Sequence, residues 1–300
     1  MTSPPRLAEV LRGLSWLMSA ALYAMPAAAQ QEPDVPYVQT PSNVVDTMLE
    51  MARLTASDYL VDLGSGDGRI VIQAARRHGV RSMGVEIDPN LVRASNQEAK
   101  RQAVDDKVSF VTGNLFMMDL SRATVLTMYL LPQLNMQLRP RILTELKPGT
   151  RVVSHDFDMG DWKPDQKREV KVPNKSYGPP VSQVYFWYVP ANVAGKWRWQ
   201  LPVAGKPLTY EAKLSQLFQE VDGEMLVDGG SAAVQNLMLR GDLISFTLVR
   251  EMFGQKISHD FNGRVEGDRI SGRVQLSGGE SAALDWQATR TERGTMRINK

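Results

Sequence analysis

Residues 61–70 read VDLGSGDGRI and place glycines at positions 64, 66 and 68, directly behind a run of apolar residues. A stretch with so few side chains suits a tight turn, a cradle for a phosphate, or a pocket where a nucleoside lies against the backbone. The neighbouring elements decide among these possibilities, because a ligand site requires the loop to lie at the edge of a sheet. Residues 64–68 are called the glycine loop below.

Short apolar runs alternate with amphipathic stretches on both sides of this loop. Strands are predicted at 59–63, 82–87, 108–112, 124–131 and 150–155, and helices at 69–78, 89–104 and 134–146. Ser42 is predicted to cap an earlier helix, and Asp88 to cap the helix that begins with Pro89. This order of elements predicts parallel strands joined by right-handed crossovers, which is an α/β, Rossmann-like open sheet.

The glycine loop then lies at the carboxyl end of the first strand, where open α/β sheets bind ligands. A dinucleotide fingerprint would need a glycine where Arg69 stands, and a phosphate-binding P-loop would need a Gly-Lys-Ser/Thr ending, which is absent. With Asp62 in front, the stretch reads D-x-G-x-G-x-G. It resembles motif I of the class I S-adenosylmethionine-dependent methyltransferases.

That resemblance implies a set of contacts to S-adenosylmethionine. Asp62 would meet the ammonium group of the methionine part, and Glu86, 22 residues after Gly64, would accept hydrogen bonds from the ribose hydroxyls. Asn114 stands where the family places a polar residue for the adenine amino group. The complete set of candidate cofactor contacts is Tyr37, Thr40, Asp62, Gly64, Ser65, Gly66, Gly68, Glu86 and Asn114.

Four segments narrow the resemblance: PYVQTP (36–41), DLGSGDGRIVIQAAR (62–76), GVEIDPNLV (84–92) and RVVSHDF (151–157). Together they look like the seven-β-strand protein lysine methyltransferases related to the ATP synthase c-subunit methyltransferase. The resemblance covers residues 36–190. It implies that the lead-in segment before the first helix, residues 30–40, folds over the cofactor with Tyr37 and Thr40. Both residues also fit a purely structural lead-in.

The sequence says less about the group that would accept the methyl. Residues 129–132 read YLLP, which lacks the signatures of enzymes that methylate DNA bases or glutamine side chains. The fourth strand ends without a carboxylate, so no metal site is predicted. His155 and Asp156 follow the fifth strand as candidate catalytic residues that would hold a cationic amine or take a proton, and they would equally suit a turn.

The first 29 residues have the features of a secretory signal peptide. Arg6 and Arg12 precede an apolar stretch at 14–25, and small residues follow at 27–29. The stretch is short for a membrane span. Cleavage after Ala29 and export to the periplasm or the medium are predicted, with no stable membrane insertion afterwards. An uncleaved N-terminal membrane anchor is the alternative.

The chain beyond residue 190 is rich in alternating, strand-like runs. Turns at Gly241-Asp242 and Gly267-Asp268 predict hairpins of an antiparallel β domain, either a sandwich or a small barrel. Alternating aromatic residues in 181–189 predict a half-buried edge strand at the end of the first domain. The predicted organisation is a leader at 1–29, a methyltransferase domain at 30–190 and a β-rich domain at 191–300 whose role the sequence does not indicate.

Composition limits the range of functions. The chain has 300 residues, of which 43% are hydrophobic and 23% charged, with a formal net charge of +2, and this balance argues against a nucleic-acid partner. The predicted function is S-adenosylmethionine-dependent methylation of a protein lysine. The alternative is an exported, non-catalytic nucleoside- or partner-binding protein that retains the fold, because cofactor supply outside the cytoplasm is not assured.

Overall fold

The structure is a computed structural model that describes residues 37–176, 178–203, 205–252, 255–277 and 282–299. The predicted signal peptide, residues 1–29, lies outside the described residues. Within the described ranges, no helix has the length and apolar character needed to cross a membrane.

The first part of the described chain is a seven-stranded sheet with helices on its faces. Its five parallel strands are β1 (Tyr59–Leu63), β2 (Arg81–Glu86), β3 (Val108–Thr112), β4 (Val125–Met128) and β5 (Arg151–His155). Two antiparallel strands complete it, β6 (Gln166–Lys171) and β7 (Val181–Tyr188), in the order β3-β2-β1-β4-β5-β7-β6. The strand order reverses between β1 and β4, so the predicted Rossmann-like sheet is confirmed and its ligand crevice lies at the carboxyl ends of these two strands.

Four helices cover the sheet: α1 (Ser42–Ala52), α2 (Arg69–His78), α3 (Pro89–Arg101) and α4 (Pro132–Glu145). Asp88 caps α3 as predicted, because its side chain accepts a hydrogen bond from the backbone N–H of Asn90 at 2.8 Å. The predicted cap of α1 is wrong. Ser42 lies inside the helix, and Pro41 occupies the N-cap position without a side-chain hydrogen bond.

Strand β7 is not the predicted edge strand. It lies between β5 and β6, and its alternating aromatic side chains, Tyr185 and Trp187, are buried. The outer position belongs to β6, whose residues are mostly exposed or half-buried. The alternation in β7 therefore reflects two different buried faces rather than one buried and one solvated face.

The second part is a closed barrel of eight antiparallel strands, which decides between the two predicted β architectures. Its strands are β8 (Gly195–Val203), β9 (Lys206–Leu217), β10 (Glu220–Val227), β11 (Gly230–Arg240), β12 (Leu243–Met252), β13 (Gln255–Glu266), β14 (Arg269–Ser277) and β15 (Ala282–Arg293). The predicted turns at Gly241-Asp242 and Gly267-Asp268 are confirmed, since each joins two paired strands. Pairing of β15 with β8 closes the ring.

Aromatic side chains fill the interior of the barrel. The Trp199 ring lies at its centre, with ring centroids 5.3 Å from Tyr210, 5.7 Å from Phe261 and 5.5 Å from Trp286. The interior is thus a packed core in the part of the barrel that the structure describes.

The sheet and the barrel belong to one compact unit. The β9–β10 turn brings Phe218 into the hydrophobic cluster of the sheet, where it packs with Trp162 and Trp187. The predicted boundary at residue 190 falls between β7 and β8.

Candidate functional site

The glycine loop joins β1 to α2 at the carboxyl edge of the sheet. Gly64, Gly66 and Gly68 have φ angles of 74°, 54° and 76°, in the left-handed region that residues with side chains rarely adopt. Space is also restricted, because a Cβ atom at Gly64 would lie 2.9 Å from the Leu130 side chain and one at Gly68 would lie 2.6 Å from Phe110. The loop therefore needs glycine for its own backbone as well as for any ligand.

Ser65 faces the sheet rather than the crevice. Its backbone N–H donates to the Val85 carbonyl at 2.9 Å, and a Cβ atom at Gly84 of β2 would lie 2.6 Å from the Ser65 hydroxyl. The hydroxyl is buried without a hydrogen-bond partner among the described residues. Its carbonyl accepts a hydrogen bond from the Gly68 backbone N–H at 2.8 Å, so both backbone polar groups of Ser65 stabilise the loop itself.

Glu86 ties the glycine loop to the end of β2. Only 9% of the residue is exposed, and its carboxylate accepts hydrogen bonds from the backbone N–H groups of Gly66 at 2.8 Å, Ile87 at 2.8 Å and Asp88 at 3.0 Å. A buried carboxylate with three donors is well satisfied. Glu86 thus stands where the resemblance placed it, and it also holds the loop in shape.

Asp62 is a buried carboxylate beside the crevice, with 2% of the residue exposed. One oxygen accepts a hydrogen bond from the Thr127 hydroxyl of β4 at 2.7 Å. The pKa of Asp62 is raised to about 7, mainly by burial and in addition by the carboxylates of Glu86 and Asp67, while the hydrogen bond from the Thr127 hydroxyl opposes the shift. A cation that pairs with Asp62 would relieve this cost of burying a negative charge.

Asn114 follows β3 and caps a short 3₁₀ helix, Leu115–Met117. Its side-chain oxygen accepts a hydrogen bond from the Phe116 backbone N–H at 2.9 Å. An amide side chain offers an oxygen that accepts hydrogen bonds and a nitrogen that donates them. The adenine contact implied by the resemblance is compatible with this position.

The lead-in segment lies across the glycine loop. The Tyr37 ring covers Gly66, where any Cβ atom would collide with it, and 46% of the tyrosine remains exposed. The Arg69 guanidinium donates to the Thr40 carbonyl at 2.8 Å, and the Gln39 side chain donates to the Asp67 carboxylate at 3.2 Å. These contacts place Tyr37 and Thr40 next to the loop, as expected for a segment that covers a cofactor.

A cavity of about 390 Å³ opens between the lead-in segment and the carboxyl ends of β4 and β5. We call it the acceptor cavity. Its lining includes Tyr37, Arg69, Tyr129, His155 and Lys175. Two aromatic rings and several polar groups therefore converge on a space next to the glycine loop, which is the usual character of a small-ligand site.

His155 is fully buried at the base of this cavity. Its Nδ1 lies 3.2 Å from the Thr40 hydroxyl, its Nε2 lies 2.9 Å from the Ser182 hydroxyl, and its ring centroid lies 3.9 Å from that of Tyr129. The pKa of His155 is lowered to about 4, mainly by burial and in addition by the charge of Lys175, while the Asp156 carboxylate opposes the shift. His155 is therefore a neutral imidazole at physiological pH, with a hydrogen-bond partner at each nitrogen.

Asp156 forms a mostly buried ion pair with Lys175. The Lys175 ammonium donates to one carboxylate oxygen at 2.6 Å and to the Val181 carbonyl at 2.8 Å. The other carboxylate oxygen accepts a hydrogen bond from the Gln183 backbone N–H at 2.9 Å. The chain's own lysine thus occupies the carboxylate that the sequence offered as a partner for a cationic amine.

Three residues of this arrangement were not predicted. Thr127 lies within a buried strand and Ser182 at the start of another, where a hydroxyl gives no pattern that marks it as functional. Lys175 lies in an irregular loop between β6 and β7. Among the described residues, no group of three or more His, Cys, Asp or Glu side chains is placed to hold a metal ion, and the lack of a metal stays a prediction.

Comparison with known proteins identifies relatives of this site. A family model described as the ANTKMT methyltransferase domain matches residues 62–166. A protein-lysine N-methyltransferase of Saccharolobus islandicus (strain REY15A) is 44% identical over 146 residues, which are 48% of this chain and 91% of that protein. The Xenopus laevis lysine N-methyltransferase of the ATP synthase c-subunit is 36% identical over 149 residues, and the match covers 48% of this chain and 65% of that protein.

A solved structure is also similar. It is described as an RNA methyltransferase from Salinibacter ruber in complex with S-adenosyl-L-homocysteine, and it is 52% identical to this chain, with a TM-score of 0.47. The alignment covers 52% of this chain and 96% of that chain. The two relatives and the solved structure each match about half of the present chain, and the family model ends before β8.

Proposed function

Since this chain belongs to the family of protein-lysine N-methyltransferases, we propose that it methylates the side-chain nitrogen of a lysine in another protein. S-adenosylmethionine is its cofactor and the methyl donor. The acceptor is inferred from the Saccharolobus islandicus relative, 91% of whose length is matched and whose name specifies a protein lysine.

One observation of the structure supports the cofactor site above the others. Asp62 and Glu86, two buried carboxylates, flank a left-handed glycine loop at the point where the strand order reverses. Asp62 accepts a hydrogen bond from the Thr127 hydroxyl, yet burial still raises its pKa, so a ligand ammonium group would stabilise its charged form. Glu86 would meet the ribose and Asn114 the adenine, while the lead-in segment with Tyr37 and Thr40 would cover the methionine part.

The acceptor cavity is where we place the substrate lysine. The cofactor supplies an electrophilic methyl group on a sulfonium centre, and only an uncharged amine has the lone pair to take it. The cavity wall favours that form, because desolvation between the rings of Tyr37 and Tyr129 disfavours a protonated amine. A lysine side chain held between these rings would be aligned with the methyl group.

His155 lines this cavity, and Asp156 lies behind the lining, where it pairs with Lys175. The structure supports a holding role for them over proton transfer, because both imidazole nitrogens and both carboxylate oxygens already have partners. His155 would fix Thr40 of the lead-in segment and the Tyr129 ring. The proton of the substrate ammonium would then leave through solvent before the lysine is enclosed.

We also propose that the protein is exported. This rests on the sequence of residues 1–29 alone, with its two arginines, apolar stretch and small residues before Gln30. Methylation of a partner in the periplasm or medium would then require S-adenosylmethionine in that compartment. If the protein instead methylates its partner before it is exported, the proposed activity and the proposed export are also compatible.

A labelled-methyl experiment tests the proposed acceptor. Purified protein is incubated with S-adenosylmethionine carrying a radioactive methyl group and with a total extract of the cells that produce it. We expect label that is released by proteinase and recovered as methyl-lysine after acid hydrolysis, and much less label with a Glu86→Gln protein. Label released by ribonuclease instead, or no label above the Glu86→Gln background, would contradict a protein lysine as the acceptor.

A further inference from the structure

The turn between β9 and β10 reaches out of the barrel into the core of the sheet. Phe218, at its tip, is 2% exposed and stacks on the Trp162 ring, with centroids 6.1 Å apart and planes at 16°. The Arg139 guanidinium lies 5.2 Å from the centroid of the same Phe218 ring. An aromatic residue buried in this way is a specific contact between the two parts of the chain.

The next residue of this turn satisfies the polar groups around that contact. The Gln219 side-chain oxygen accepts a hydrogen bond from the Trp162 indole N–H at 2.8 Å, and its side-chain nitrogen donates to the Lys163 carbonyl at 2.7 Å. Trp162 is fully buried, and its own carbonyl accepts a hydrogen bond from the Trp187 indole at 2.9 Å. Trp162 is therefore fixed by the barrel on one side and by β7 on the other.

Trp162 belongs to the segment that links β5 to β6, residues 156–163, which we call the substrate-side loop. At its other end this loop supports a lining residue of the acceptor cavity from behind, because the Phe157 ring stacks on Tyr129 with centroids 6.2 Å apart. The Phe157 carbonyl accepts a hydrogen bond from the Ser154 hydroxyl at 2.6 Å, and Arg139 donates to the Met159 carbonyl at 2.9 Å. One short loop thus contacts both a lining residue of the acceptor cavity and the barrel.

The proposed cofactor contacts on the sheet lie elsewhere, while Tyr37 of the lead-in segment lines the acceptor cavity and Thr40 contacts His155 beside it. Asp62, Glu86 and Asn114 stand at the ends of β1, β2 and β3, on the half of the sheet remote from β7. The family model stops at residue 166, so the barrel is an addition to the part of the chain that the family shares. The substrate-side loop is the element through which this added barrel reaches the surroundings of the acceptor cavity.

We propose that Phe218 and Gln219 of the barrel are positioning residues for methyl transfer. They hold the substrate-side loop and, through Phe157 and Tyr129, set the geometry of the acceptor cavity, a role that rests on the proposed function of that cavity. Small displacements of groups that align reactants lower rates strongly, by as much as about a hundredfold for a shift of about 1 Å. Loss of this contact should therefore slow transfer without weakening cofactor binding.

The test uses the full chain with Gln219→Met, which keeps an unbranched side chain of similar length and removes both hydrogen bonds. Glu220→Ala is the matched control, because it removes the exposed ion pair between the same turn and Lys163 of the same loop. Ile270→Val is the stability control, since Ile270 is buried in the barrel interior away from the turn. The three measurements are hydrogen exchange of residues 156–163, affinity for S-adenosylhomocysteine by calorimetry, and labelled-methyl incorporation into the cell extract described above.

For Gln219→Met we expect exchange in residues 156–163 to rise at least about tenfold, the rate corresponding to about 1.4 kcal/mol of lost local stability. Methyl incorporation should fall by a similar factor, while affinity for S-adenosylhomocysteine stays within about twofold of wild type. Both controls should behave like wild type in all three measurements.

Unchanged exchange in residues 156–163 would overturn the inference, as would a parallel loss of cofactor affinity or an equal loss of incorporation in Ile270→Val. A wild-type protein that incorporates no label would contradict the proposed function instead. In that case the exchange measurement alone still decides whether the barrel holds the substrate-side loop.

Discussion

Replacing Glu86 by glutamine tests the cofactor site, because the change keeps the shape of the side chain while it removes the charge and exchanges one acceptor oxygen for a donor nitrogen. A carboxylate offers about four acceptor positions. Backbone N–H groups of Gly66, Ile87 and Asp88 already occupy three of them. About one position therefore remains for a ribose hydroxyl, and a hydrogen bond to a charged acceptor contributes about 1.5–3 kcal/mol.

Since about 1.4 kcal/mol corresponds to a tenfold change in affinity, Glu86→Gln is expected to weaken binding of S-adenosylhomocysteine by about tenfold to about a hundredfold. Isothermal titration calorimetry measures this. Asp88→Asn is the matched control, because it removes the same charge two residues further along and asparagine caps a helix as well as aspartate does. Equal affinities of wild type and Glu86→Gln, or an Asp88→Asn protein that binds as weakly as Glu86→Gln, would refute a ribose contact at Glu86.

Three further outcomes are expected. Raising the pH from about 5.5 to about 7 should strengthen S-adenosylhomocysteine binding by up to about tenfold per pH unit. The reason is that burial raises the pKa of Asp62 to about 7, and the ligand ammonium pairs with the ionised carboxylate. If the affinity of Asp62→Asn depends on pH to the same extent, Asp62 is not the source of the effect. Acidification from about pH 6.5 to about pH 4 should lower the free energy of unfolding by up to about 3 kcal/mol through His155. Burial lowers the folded-state pKa of His155 to about 4, while the unfolded chain takes up the proton at the ordinary pKa. Denaturant titrations should show a smaller loss of stability in His155→Gln, and an equal loss would count against His155 as the cause. Mass spectrometry of fractionated cells should find a mature chain that begins at Gln30 outside the cytoplasm, whereas a full-length chain confined to the cytoplasm would contradict export.

Local signals made much of the sheet predictable. The bounds of β1, α2 and β3 agree with those expected from the sequence, because each apolar run is interrupted by glycine or a polar turn and Gly79 ends α2 in a left-handed conformation. Closure of the barrel was not predictable in this way. It depends on the pairing of β8 with β15, whose partners are far apart in the chain, and the same hairpins would also suit a sandwich.

The candidate site divides along similar lines. Asp62, Glu86 and Asn114 could be placed because each lies at the end of a strand that its apolar pattern delimits. The pairing of Lys175 with Asp156 could not, because it is a contact between an irregular loop and a strand end. A substitution at Gly66 would not test cofactor binding. Any side chain there would strain a backbone with φ of 54° and collide with Tyr37, so the loop itself would be disturbed.

The ion pair of Lys175 and Asp156 has a consequence for the enzyme itself. An enzyme that methylates lysines carries one of its own in the wall of its acceptor cavity. Its side-chain nitrogen donates hydrogen bonds to Asp156 at 2.6 Å and to the Val181 carbonyl at 2.8 Å, and methyl transfer would require it to leave both partners and line up with the methyl group. The pairing thereby protects the proposed active site from methylation by the enzyme itself, so Lys175 should stay unmethylated through many rounds of turnover.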